Sequence, residues 1–136
     1  MLGVPVIISE QYVKGLGATV EPLRVALEET GGYRPVEKIC FSAAGLLEGM
    51  DRRQVLIAGV EAHVCVYQTV SDLIGRGLSV TLLADAITSR SAHNKEIAIR
   101  RLMSDGAKLS STEMALFELL GSAGTDEFRA ISRIVE

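Results

Sequence analysis

Cys65 is the residue of this 136-residue chain whose surroundings best suit covalent chemistry. It lies in the stretch QVLIAGVEAHVCVYQTVSDLIGRG, Gln54 to Gly77. Gln54 to Val60 is a short apolar, β-branched run, which predicts a buried strand. From Cys65 the pattern turns helical, with Val66, Val70, Leu73 and Ile74 at i, i+4, i+7 and i+8, and Gly75 and Gly77 can stop that helix. A cysteine between a buried strand and the first turn of a helix faces unpaired backbone N–H groups and the positive end of the helix dipole. Both favour a thiolate over a thiol. The blander role, a small buried apolar side chain, is the commoner one for a cysteine taken at random, so position alone leaves both open.

The elements that must hold this segment follow the same alternation. Val4 to Ser9 reads as a strand, with Pro5 at its start, where no ladder bond is needed. Gln11 to Thr19 reads as a loop. Its GLGATV lacks the last glycine of G-x-G-x-x-G, because Val20 stands there, and this excludes a dinucleotide loop. Thr19 is a candidate N-cap for a helix with Pro22 in its first turn and Leu23, Ala26 and Leu27 on one face, ended by Gly31-Gly32. Arg34 to Phe41 is part extended and carries Lys38. Ser42 can cap a short helix with Leu46, Leu47 and Met50 on its apolar side. Leu78 to Ala84 is another buried strand with Asp85 at its end. Ala92 to Ser104 is a helix with Ile97, Leu102 and Met103 inward. Ala107 to Ser110 is an edge strand, and Thr112 and Thr125 cap two last helices, the second with Phe128, Ile131 and Val135 on one face. Strands alternating with helices imply a three-layer α/β/α sandwich with a mostly parallel, Rossmann-like sheet, and residues 1–136 read as a single domain.

Composition excludes several classes. A net charge of -3 gives no basic footprint for nucleic acid, and an aromatic content of 4% without tryptophan gives no stacking surface. No apolar stretch approaches the roughly 18 residues of a membrane span, and the start, Met-Leu-Gly-Val-Pro, does not resemble a signal peptide. Two cysteines, Cys40 and Cys65, fit a reducing cytoplasm with free thiols. His63 lies too close to Cys65 in sequence to aim readily at it, and His93 begins a helix. Two histidines with no Asp-x-His pattern make a poor zinc site, so no metal or cofactor is expected.

Gly59-Val60-Glu61-Ala62-His63-Val64-Cys65-Val66, with Gln68-Thr69 and Asp72-Leu73, resembles the nucleophile segment of the isochorismatase-like cysteine hydrolases. The resemblance runs on through Gly77 to Val80 and Ala84 to Ser91. Upstream, Val4 to Tyr12 and Gly15 to Gly17 resemble a subgroup of small members without an assigned substrate. Pro35 to Ser42 resembles the family's lysine segment.

The resemblance implies Cys65 as nucleophile and Lys38 as its neighbouring ammonium. It further implies a cis peptide at Val60–Glu61, with the N–H groups of Glu61 and Cys65 as an oxyanion hole. Gln11, Tyr12 and Phe41 are candidates to line a pocket for a small-molecule amide, ester or vinyl ether, with loop packing an equal reading of each. Family members begin with a strand ending in aspartate, followed by a helix, and neither matches here. The expectation is an N-terminally incomplete chain in which Glu10 and Asp85 are the only local carboxylates to consider. The lost strand would be central, between the equivalents of Val4–Ser9 and Gln54–Val60, and its absence leaves sheet edges open. Two function classes stand side by side: a cysteine hydrolase, and a non-catalytic α/β module acting as an oligomer subunit or interaction partner. A homo-oligomer is expected in either case.

Overall fold

The computed structural model describes residues 2–135. Strand β1 (Ile8–Gln11) leads through a single turn, α1 (Val13–Leu16), and helix α2 (Glu21–Glu29) to β2 (Pro35–Lys38). A 3-10 turn (Ala44–Leu47) precedes β3 (Gln54–Val60), and a turn of π-helix (Ala62–Val66) runs into α3 (Tyr67–Gly75). Then come β4 (Ser79–Thr88), α4 (Ala92–Ser104), β5 (Lys108–Ser110), α5 (Thr112–Leu120) and α6 (Asp126–Val135). Every described strand pair is parallel, and helices lie between the strands, as an α/β fold requires.

The strands form two sheets, β1–β2 and β3–β4–β5, with no hydrogen-bonded pairing between the sheets among the described residues. The apolar core belongs to the larger one. Val66, Val70 and Leu73 from the helical side meet Val80, Leu82 and Ile87 of β4 and Leu102 of α4, all buried. The sheet β1–β2 contributes Lys38 as its one buried strand residue. Along β3 exposure alternates, and Leu56 and Val60 remain 41% and 62% exposed on a face without full cover.

Several expected boundaries move, each for a visible reason. The first strand starts at Ile8 rather than Val4 because its partner β2 begins only at Pro35, the residue opposite Ile8. Val4, Val6 and Ile7 therefore stay exposed despite their β-branched character. The fourth strand runs on to Thr88, past the expected Ala84. Its partner β3 shifts register between Ile57 and Gly59 and then pairs Gly59 with Ile87 and Val60 with Thr88. Gly59 has φ +129, a conformation that side chains strongly disfavour. Asp85 thus lies within a strand and not at its end.

Thr19 does not cap α2; Val20 holds that position. Helix α2 buries none of its residues, so Leu23 is 60% exposed instead of facing a core. On α4 the inward pair is Ala98 and Leu102, one turn apart, while Ile97 and Met103 face outward. Ser111 rather than Thr112 caps α5, its Oγ accepting from Met114 N–H at 3.2 Å. Thr125 does cap the last helix, accepting from Phe128 N–H at 3.1 Å.

Candidate active site

Three strand ends bring the candidate residues together: Gln11 closes β1, Lys38 closes β2, and Cys65 follows the end of β3. In parallel α/β sheets these carboxyl ends are where ligands bind. Pairing of β1 with β2 places Gln11 directly opposite Lys38.

Lys38 is buried, yet among the described residues no carboxylate meets it. Its ammonium donates to Gln11 Oε1 at 2.5 Å, Phe41 O at 2.7 Å and Cys40 O at 3.1 Å. All three of its N–H donors are therefore spent on neutral oxygens. Gln11 is held in turn, because its Nε2 donates to Ile39 O at 2.6 Å. That bond turns Oε1 toward both the ammonium and Cys65, whose Sγ lies 3.8 Å away. Lys38 and Cys65 are thus joined through one carboxamide oxygen. Gln11, a candidate to line the pocket, lies between these two candidate residues.

Cys65 is half-buried and free, whereas Cys40 is free and exposed. Cys65 sits in the π-turn, where Val66 N–H reaches back to Glu61 O at 3.2 Å. Such widened turns concentrate at functional sites. The peptide bond Val60–Glu61 is cis. Behind the cysteine, Thr69 is buried and donates its hydroxyl to Cys65 O at 2.7 Å while accepting from Ala43 N–H at 2.9 Å. Thr69 therefore ties the segment that follows Lys38 to the helix that carries Cys65. A hydroxyl one turn after a cysteine is visible in sequence; its second partner, from residue 43, is not.

Tyr12 and Phe41 contribute backbone more than side chain. Tyr12 N–H donates to Lys38 O at 3.0 Å, and Phe41 O accepts from the ammonium. Both residues are about half exposed, at 48% and 49%. Tyr12 takes a left-handed backbone conformation, φ 41, and its ring lies over Gly15.

The two carboxylates considered for the site are engaged elsewhere. Glu10 alternates to the other side of β1 from Gln11 and accepts from Thr19 N–H (2.8 Å), Thr19 Oγ1 (2.7 Å) and Tyr33 OH (2.8 Å). These bonds, the Thr19 N–H first, hold its carboxyl below the usual range. Asp85 accepts from Thr112 N–H at 2.9 Å and from its hydroxyl at 3.1 Å, anchoring the start of α5, and its carboxyl is likewise lowered. His63 pairs with Ser89 Oγ at 3.0 Å and lies 4.0 Å from a Glu61 oxygen. His93 lies in the first turn of α4. Among the described residues no three His, Cys, Asp or Glu side chains are grouped to hold a metal ion, and no helix is long and apolar enough to cross a membrane.

The fold is shared with known proteins. The isochorismatase domain family matches residues 1–114. The secreted isochorismatase effector Isc1 of Phytophthora sojae is 36% identical over 143 residues, covering 100% of this chain and 68% of that protein. Isochorismatase domain-containing protein 2 of Bos taurus is 39% identical over 141 residues, covering 100% of this chain and 67% of its own length. The structure of the MAR1 ribonuclease of Caenorhabditis elegans superposes with a TM-score of 0.83 at 34% identity, over 97% of this chain and 69% of that one. The chain belongs to the isochorismatase-like hydrolase family. It spans about two thirds of the length of these curated relatives.

Proposed function

We propose that this protein is a cysteine hydrolase of a small amide, ester or vinyl ether, with Cys65 as nucleophile and Lys38 as the cation that favours its thiolate. The observation that supports this reading is that the Lys38 ammonium and the Cys65 thiol both donate to one oxygen, Gln11 Oε1, at 2.5 Å and 3.8 Å, which places the cation within one side chain of the sulfur. Loss of the thiol proton removes the sulfur's bond to that oxygen. With an amide or ester, the thiolate adds to the carbonyl carbon, and the N–H groups of Glu61 and Cys65 receive the developing oxyanion. Collapse expels the amine or alcohol, which takes up a proton, and leaves a thioester on Cys65. Water then adds to that thioester and releases the acid and the thiol.

This reaction needs a carboxylate to move the protons, and Glu10 and Asp85 are bound to Thr19, Tyr33 and Thr112 instead. We propose that the carboxylate comes from a strand seated on the unpaired edges of β1 and β3, and that residues 1–136 form one domain with it. The test is expression of the chain with and without further upstream coding sequence, assayed against amides, esters, vinyl ethers and single-stranded RNA. Hydrolysis by the longer form alone, lost in Cys65→Ser, is expected. Turnover by the short form through Cys65 would overturn the account of the carboxylate. Cleavage of RNA, the activity in the name of the C. elegans neighbour, would overturn the small-molecule reading.

A second reading, a non-catalytic module within a homo-oligomer, is favoured by the apolar surface of the chain. Leu16, Val20, Leu23 and Val60 are each at least 60% exposed. Iodoacetamide separates the two. Cys40 is the more exposed thiol, so faster labelling of Cys65 at neutral pH marks an activated sulfur, and slower labelling favours the module. A cytoplasmic location, resting on the two free thiols, completes the proposal; the P. sojae relative is named as secreted.

A further inference from the structure

A cavity of about 320 Å³ lies far from Cys65, where β3 and β4 begin and α3 ends. Cys65 and Arg76 are separated by the length of a helix, roughly 16 Å at 1.5 Å per residue. Leu47, Leu73 and Leu78 give the cavity an apolar wall. Arg52, Arg53 and Arg76 border it, with Glu48 as the single carboxylate among its lining residues. Three arginines among the residues of one mixed polar and apolar hollow run against the net charge of -3 of the whole chain.

Those charges are only partly answered. Arg76 is held in place by Ala44 O at 3.0 Å and lies 3.5 Å from a Glu48 oxygen, which leaves further guanidinium N–H donors free to bond. Arg52 reaches Asp51 at 3.8 Å, but both side chains are largely in water, at 66% and 98% exposure, and such pairs contribute little. Arg53 has no carboxylate within ion-pairing distance among the described residues. The backbone of Arg53 is fixed all the same, because its carbonyl accepts from Ser79 N–H at 2.9 Å.

We propose that this cavity is a second ligand site, which takes a small organic anion with a carboxylate or phosphate head and a short apolar body. Guanidinium forks match both heads in geometry. The volume lies at the small end of ligand pockets, which run from roughly 300 to 1,000 Å³, so the body is short. The site does not depend on any chemistry at Cys65.

Calorimetric titration of the protein with octanoate, octyl phosphate, octanol and inorganic phosphate tests the proposal. At least one of the two octyl anions is expected to bind one-to-one, and the tighter of them identifies the head group. Octanol and inorganic phosphate should each bind roughly tenfold more weakly, since each lacks half of the recognition. Arg53→Gln should weaken octyl-anion binding roughly tenfold, and Met50→Trp, which adds bulk to the lining, should abolish it. Amide chemical shifts of the unsubstituted protein give a readout that needs no variant, and they should move at Leu47, Leu73 and Leu78. No saturable binding of either octyl anion, shifts confined to other regions, or unchanged binding in both variants would overturn the assignment.

Discussion

Gln11 and Cys65 stand at the ends of two separate sheets, and a single atom relates them: Gln11 Oε1 lies 3.8 Å from Cys65 Sγ. The same oxygen accepts from Lys38 at 2.5 Å, so a neutral amide occupies the point where cation and sulfur meet. A buried ammonium satisfied by three uncharged oxygens is costly to disturb, because removing any one acceptor leaves a charged donor unpaired.

Gln11→Leu should therefore lower unfolding stability by about 1–3 kcal/mol, read from urea denaturation midpoints at constant slope. Gln11→Glu should recover at least the original midpoint, because its carboxylate pairs with Lys38. Placing that negative charge beside the sulfur should also slow iodoacetamide labelling of Cys65. Equal stability of all three proteins would mean that Gln11 does not hold the ammonium.

On the proposed roles, Lys38→Met should slow alkylation of Cys65 roughly tenfold, since it removes the ammonium that shares the Gln11 oxygen with the sulfur. The exposed Cys40 serves as an internal reference in the same sample. Mass spectrometry of the two labelled peptides reads both rates, with circular dichroism establishing that the variant is folded. Parallel slowing at both cysteines would point to a general structural change instead.

Thr69 joins two chain segments through one hydroxyl, so Thr69→Val should strand the Ala43 N–H and lose the bond to Cys65 O. The expected cost is about 1–3 kcal/mol for a buried donor left unsatisfied. Faster hydrogen exchange should appear at Ala43 in particular. Exchange unchanged at that amide would show that the bond is not maintained in solution.

Asp85 offers a pH test with a definite sign. Its carboxyl is lowered mainly by the Thr112 N–H at the start of α5. The unfolded chain therefore binds its proton more readily than the folded one. The stabilisation is complete above the unfolded value, near pH 4, and is lost as pH falls through the lower folded value. Asp85→Asn should be less stable than the unsubstituted protein at neutral pH, with the gap closing in acid. A gap that stays constant in thermal melts across the acid range would assign the effect to packing.

Much of the architecture was legible because the signals are local. The β-branched run from Gln54, the helical spacing of Val66, Val70 and Leu73, and the cap at Thr125 each depend on neighbours a few residues away. The misreadings share one cause. Val4 to Ile7 is as strand-like as Ile8, and Leu23 as core-like as Leu73. Whether either is used depends on a partner surface that no window of sequence contains, and neither β2 nor the core extends far enough to cover them.

What the sequence determined by itself was the family, through motifs kept in register, and with it Cys65 and Lys38 as the candidates to examine. The tertiary structure alone decided what lies between those two. Strand alternation sends Glu10 to Thr19 and Tyr33, and β1–β2 pairing brings Gln11 opposite Lys38. Asp85 goes to the start of α5 because β4 continues past it. Residue type follows from the chain one position at a time, but a hydrogen bond between residues 11 and 65 exists only once two sheets have been set beside each other.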